Sequence, residues 1–218
     1  MASVLTAPAG GAPAAPQAAV TGRLVVRDKG DRQAEDVGQA VIWLEAAGLP
    51  APAPDTAVVL TEGKEFRPRV SVVTVGSTIS FPNNDPFNHN VFSLSPESAF
   101  DLGLYGRGRA KTADFPKPGL VRVYCNVHAT MSALVVAVPT AFHARPSADG
   151  TFRLDAVPAG RYRLKAWHER AAAVAERDLV VGARGAGDLR VELDARQFAP
   201  VKHLNKFGQP YRTAGRRY

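Results

Sequence analysis

Residues 124–138 read "YCNVHATMSALVVAV". The second half, up to Pro139, is a Val- and Ala-rich run that reads as a strand. The first two residues close an earlier strand, "PKPGLVRVYC", which a Pro-Gly turn feeds. The residues between them form a short loop. That loop holds unusual company. Cys125 is the one cysteine of 218 residues, His128 follows three positions later, and Met131, one of two methionines, three after that. With five histidines in the chain, such a coincidence has a chance probability on the order of 1 in 5,000. A continuous strand would send neighbouring side chains to opposite faces, whereas a short loop can turn all three toward one point.

The rest of the chain has the same punctuation. Nineteen Gly and 17 Pro break it at short intervals, with Val-rich runs between them. This is the composition of an all-β protein of short strands. Strands are predicted in "VTGRLVVRD", "QAVIWLEA", "RVSVVTV", "TISFPNND" and "HNVFSLS". After Pro139, "SADGTFRLDAVPAGRYRLKAWHE" reads as a meander with Asp-Gly and Pro-Ala-Gly turns, and "RDLVVGARGAGDLRVELD" as two more strands. "GLPAPAPDT" reads as a linker, residues 96–115 as an irregular connection with one helical turn, and "ERAAAVAER" as a short helix. The expected organisation is a disordered Ala/Pro-rich lead-in (1–18), a central β-domain (55–139), and a small β-sandwich made of 19–54 plus 140–195, which the middle interrupts. A basic tail (196–218) follows. Inserting a domain into a surface loop is cheap, because loop-closure entropy grows slowly with length.

Charge and composition narrow the function. The net charge is +7, and the tail from Arg196 onward has six basic residues and no acidic one. No nucleic-acid recognition motif accompanies that tail, so nucleic acid is not expected as a partner. No apolar run approaches the roughly 18 residues that cross a bilayer. The N-terminus lacks the basic and apolar regions of a secretion signal. One cysteine excludes an internal disulfide. No acid/base pair, nucleophile–base pair or phosphate loop stands out, so the chain reads as a non-enzyme.

A thiolate, an imidazole and a thioether suit copper: sulfur ligands stabilise Cu(I), and imidazole suits both oxidation states. Structural zinc takes four strong ligands, usually several Cys. A trigonal copper site with a weak axial Met needs a second His. His89, in "NNDPFNHNVFSLS", is the candidate; His143, His168 and His203 read as ordinary surface residues.

These motifs resemble those of the cupredoxins, the small blue copper proteins of the plastocyanin, amicyanin and azurin kind. "VTVGSTISFPNNDPFNHNVFS" resembles the plastocyanin strand and first-ligand turn, with Asn88 where plastocyanins carry Pro. "VYCNVHATM" resembles the Cys-x-x-His-x-x-Met ligand loop at amicyanin-like spacing. The resemblance covers residues 57–139. It implies a Greek-key β-sandwich holding one type 1 copper through His89, Cys125, His128 and Met131. Asn90 would tie the two ligand loops together near the sulfur, and Pro86, Phe87 and Ala129 would form an apolar docking patch around His128. The flanks resemble the carboxypeptidase-regulatory, transthyretin-like sandwich, and the whole order resembles bacterial exported proteins of the methylamine-utilisation or plastocyanin-like kind. The implied role is carriage of single electrons for a redox partner such as a cytochrome c or a dehydrogenase, an acidic one given the basic chain, in the periplasm or another extracytoplasmic space. Two alternatives stay open on the residues alone: copper binding or delivery without electron transfer, and a metal-free binding module on the same fold.

Overall fold

The computed structural model describes residues 18–200 and 203–211. Positions 1–17 of the lead-in, and 201–202 and 212–218 of the basic tail, lie outside the described residues. The strands are β1 (Ala18–Arg27), β2 (Val41–Glu45), β3 (Thr56–Val58), β4 (Leu60–Glu62), β5 (Glu65–Arg67), β6 (Val70–Thr74), β7 (Thr78–Pro82), β8 (His89–Ser93) and β9 (Phe100–Tyr105). They continue with β10 (Ala110–Asp114), β11 (Gly119–Cys125), β12 (Ser132–Val138), β13 (His143–Ala144), β14 (Thr151–Val157), β15 (Gly160–Trp167), β16 (Ala175–Val181) and β17 (Ala186–Asp194). No helix among the described residues is long and apolar enough to cross a membrane.

The strands assemble into two sandwiches. In one, β14-β1-β17 packs on β13-β2-β15-β16, with Leu24, Val26, Ile42, Leu44, Leu154 and Leu164 buried between. In the other, β10-β7-β3 packs on β6-β12-β11-β8-β9, with Ile79, Phe81, Val121, Val123 and Val135 in its core. The second is cupredoxin-like. Its β6 runs parallel beside β12, and β8 antiparallel beside β11, so strands distant in sequence become neighbours through Greek-key crossings. This pairing puts His89 at the start of β8 and Cys125 at the end of β11, on adjacent strands, with Cys125 opposite Val91.

A third apolar layer explains why β12 and β2 are apolar on both faces. Along β12, Ala133, Val135 and Ala137 enter the cupredoxin-like core. Leu134, Val136 and Val138 point the other way and meet Val41 and Trp43 of β2. Ile42 and Leu44, the alternate residues of β2, fill the other sandwich. Side chains alternate between faces, so a strand buried on both sides reads as an unbroken hydrophobic run. Arg145 adds a polar link across this junction, donating to the carbonyls of Gly38 and Val70.

Several expectations are corrected. Ala18 belongs to β1, where it pairs with Val157, rather than to the lead-in. The irregular connection over 96–115 contains β9 and β10, which pair with β8 and β7. Residues 56–67, just after the Pro-rich linker, form β3, β4 and β5. "ERAAAVAER" is a set of turns running into β16, because Ala175 pairs with Ala166 of β15 and the ladder outweighs alanine's helix preference. The tail is not simply a surface run: residues 203–211 pack back onto the cupredoxin-like sandwich.

His168 is also not a surface residue. It is 1% exposed, and its Nε2 bonds to the Asp36 carbonyl at 3.2 Å. Burial, with Arg170 nearby, holds its imidazole below the usual value despite Asp36 and Glu169. Burial lowers His143 as well. The unfolded chain therefore takes up these protons before the folded one does. Their contribution to stability is present above the unfolded value near 6.5 and is lost as pH falls toward the folded values. The expected result is a melting midpoint that drops between pH 7 and pH 5, with a shallower slope in His168→Gln; thermal unfolding across that range measures it.

Candidate metal centre

The first-ligand turn is built from side-chain to backbone bonds. Asn83 is fully buried; its amide donates to the carbonyls of Phe87 at 2.9 Å and Tyr105 at 3.0 Å, and its Oδ1 accepts from the Asp85 amide. Asn and Asp favour such turns because their short side chains reach nearby backbone groups. The turn aims Asp85 inward. Asp85 accepts from the amides of Gly63 at 2.7 Å and Lys64 at 3.0 Å, and from His89 Nε2 at 2.8 Å. Burial alone would raise its carboxyl; the Lys64 amide, His89 and the Gly63 amide together outweigh this and hold it below the ordinary value. An ionised carboxylate only accepts, so Nε2 of His89 is the donor, and in the neutral imidazole Nδ1 keeps its lone pair.

That lone pair belongs to a compact triangle. Nδ1 of His89 lies 3.6 Å from Sγ of Cys125 and 3.3 Å from Nδ1 of His128, and Sγ lies 3.9 Å from the latter. A point about 2.1 Å from all three atoms exists in their plane, within the roughly 2.0–2.3 Å span of metal bonds to imidazole and thiolate. The donor set therefore fits a metal of copper's chemistry. Cys125 and His89 are fully buried. The Val127 amide donates to Sγ at 3.4 Å. Burial, with His89 and Lys64 nearby, lowers the His128 imidazole, which favours the neutral form that ligates.

The ligand loop is closed by two backbone bonds, from the Met131 amide to the His128 carbonyl (3.1 Å) and from the Cys125 amide to the Met131 carbonyl (3.2 Å). Met131 is 1% exposed and packs in the same core as Cys125. Asn90 ties the two ligand segments together through its backbone rather than its side chain. Its carbonyl accepts from the Asn126 amide at 3.2 Å, which joins the two ligand segments, but its side chain turns away to donate to Asp101 at 2.6 Å. The carboxylate of Asp101, not the Cys125 sulfur, is the stronger acceptor within reach. Around the site, Phe87 sets its ring against both imidazoles, at centroid distances of 5.2 Å from His89 and 5.3 Å from His128. Pro86, Phe87 and Ala129 are exposed beside the partly buried His128.

Asp85 is the residue that motif reading misses. Its signal is an acidic residue four positions before the first His, inside a run of turn-formers. Lys206 and Tyr211, from the tail, also reach the site and carry no motif.

No protein-family model matches the chain, and no curated protein matches it. Solved structures do match part of the chain. One is a copper-containing nitrite reductase from Thermus scotoductus SA-01, at 25% identity and a TM-score of 0.38, over 44% of this chain and 25% of that one. Another is a purple cupredoxin from Nitrosopumilus maritimus, at 22% identity and 0.33, over 37% of this chain and 98% of that one. A third is a reduced amicyanin variant, at 23% and 0.34, over 37% of this chain and 79% of that one. These neighbours are cupredoxins. The chain spans only a quarter of the reductase's length, and the flanking sandwich lies outside the cupredoxin likeness as the sequence delimits it.

Proposed function

We propose that this chain binds one type 1 copper through His89, Cys125 and His128, with Met131 as a weak fourth ligand, and carries single electrons between redox partners. The observation that carries the reading is the triangle of three donors whose tautomer Asp85 fixes. Copper in such a site supplies a Cu(II)/Cu(I) couple. The residues supply rigidity. His89 is held from behind by Asp85, Cys125 by the β11 ladder and the Val127 amide, and His128 by the closed loop. Ligands that barely move between oxidation states suit fast transfer, and packed strand ends give that better than free loops. Burial of Cys125 and His89 keeps water from the sulfur.

Transfer needs a contact. His128 beside exposed Phe87, Pro86 and Ala129 offers a small apolar patch, of the kind used in weak redox encounters. Lys64 Nζ sits 5.4 Å from the Phe87 ring centre and places one positive charge at its rim. An acidic partner, such as a c-type cytochrome or a dehydrogenase, fits that rim, and an extracytoplasmic setting accords with the family resembled. In this reading the chain is a carrier, not an enzyme.

Stopped-flow mixing of the reduced copper protein with an oxidised acidic cytochrome c tests the role. The expected rate falls steeply as salt rises. Ala129→Asp should cut it about tenfold through like-charge repulsion at the docking patch, leaving the visible spectrum unchanged. A blue protein that exchanges no electrons would favour copper storage or delivery, and a rate that ignores both salt and Ala129→Asp would overturn the docking patch and its acidic partner.

A further inference from the structure

The segment over 203–211 makes contacts that the copper reading does not use. Tyr211 donates its hydroxyl to the Cys125 carbonyl at 2.8 Å. The Lys206 amide donates to the side chain of Asn126, the next residue, at 3.0 Å. Lys206 Nζ pairs with Asp101 at 2.6 Å, and the other oxygen of Asp101 accepts from Asn90, which follows His89. His203 stacks face to face on Tyr124, the residue before Cys125, at 4.0 Å and 15°, and meets Tyr211 edge-on. One segment thus grips the last two residues of the cysteine strand and the first of the loop after it and, through Asp101, the strand of the first histidine.

The segment is also shaped by itself. Asn205 Oδ1 accepts from the amides of Phe207 and Gln209, and its amide donates to the Gln209 carbonyl at 2.8 Å. A preformed turn loses less entropy on docking than a free chain would.

We propose that residues 203–211 are an internal strap that positions the copper ligands from outside the sandwich, with Tyr211 and Lys206 as its positioning residues. This rests on the copper reading above. Side chains alternate along β11, so Cys125 faces the core while Tyr124 faces the strap. The strap therefore acts on the cysteine through its backbone. Tyr211 fixes the Cys125 carbonyl, the Lys206 backbone amide holds the side chain of Asn126, and the Lys206 ammonium holds Asp101 and, through it, Asn90, whose carbonyl accepts from the Asn126 amide. Burial would raise the Asp101 carboxyl, but Lys206, the Gly103 amide and Asn90 hold it down and ionised.

The test compares wild type, Tyr211→Phe with Lys206→Met, and Tyr211→Phe with Lys206→Arg. Each is loaded with Cu(II), and release to a chelator is followed at the thiolate-to-copper band. Amide hydrogen exchange of Asn126 and Val127 is measured without copper. Release from the Met-containing pair should be about 10- to 100-fold faster, the usual penalty for losing an outer-shell partner of a metal ligand. The band should shift, and both amides should exchange faster. The melting midpoint should stay within about 3 °C of wild type, since the exposed segment adds little core. The Lys206→Arg pair should recover part of the loss, because arginine can still reach Asp101. Equal release rates, bands and exchange in all three proteins would overturn the strap. If wild type shows no Cys125-dependent band, the copper reading fails instead, and exchange alone decides: faster exchange in the Met-containing pair keeps the strap as a device that orders the loop, and unchanged exchange removes it.

Discussion

Asp85→Ala should weaken copper binding about 10- to 100-fold, as loss of a carboxylate behind a ligating histidine does elsewhere. It should also destabilise the copper-free chain by about 2–4 kcal/mol, because hydrogen bonds to a charged group are among the stronger ones. Asp85 is one acceptor for three donors: Gly63 N, Lys64 N and His89 Nε2. In the alanine variant the two turn amides can find water. The Nε2 of fully buried His89 cannot, and its proton is free to move to Nδ1, the atom that faces Cys125. Asp85→Asn should fall between, since it keeps the shape but turns one of the two oxygens into a donor. Copper titration with a competing chelator, beside urea unfolding of the copper-free proteins, measures both effects. Wild-type affinity in Asp85→Ala would mean that the carboxylate does not set the tautomer of His89.

The two faces of β12 should respond differently to the same substitution. Val135→Asp buries a carboxylate among Val121, Val123 and Phe81, with no partner for it. Such burial costs several kcal/mol, a large share of a stability of roughly 5–15 kcal/mol. The central sandwich should not fold, and no copper band should form. Val136→Asp, one residue on, points at Val41 and Trp43 instead. It should lower stability by about 3 kcal/mol or more, yet leave the band in place at low temperature, because the copper core keeps its packing. Urea unfolding followed at the copper band separates the two. A Val136→Asp variant within about 0.5 kcal/mol of wild type, as for an ordinary surface change, would mean that the sandwiches do not bury this layer against each other.

The ligand loop was legible because its chemistry is local. Cys125, His128 and Met131 share seven residues, and their types and spacing carry meaning without any fold. His89 lies 36 positions upstream of Cys125, and it was marked by the need for a second His, by its place after a turn at a strand start, and by the resemblance to a first-ligand turn. Asp85 was not legible. Two asparagines and an aspartate read as a turn, and the carboxylate becomes a support for His89 only when the β4–β5 turn delivers the amides of Gly63 and Lys64. Strands β9 and β10 were hidden for another reason. They bury few residues, chiefly Tyr105 and Ala113, so alternation is faint beneath three glycines. The strap was hidden by composition. A basic tail reads as solvated, and its contacts come from single residues, Tyr211 and Lys206, at no repeating interval.

The most direct test of the copper site is a visible and electron paramagnetic resonance spectrum of the Cu(II)-loaded protein beside Cys125→Ser. A strong blue thiolate-to-copper band and a narrow copper hyperfine splitting are expected in wild type, with both lost in the variant. A colourless wild type, or a copper signal indifferent to Cys125, would contradict the copper reading, because the triangle of His89, Cys125 and His128 would then not be what holds the metal.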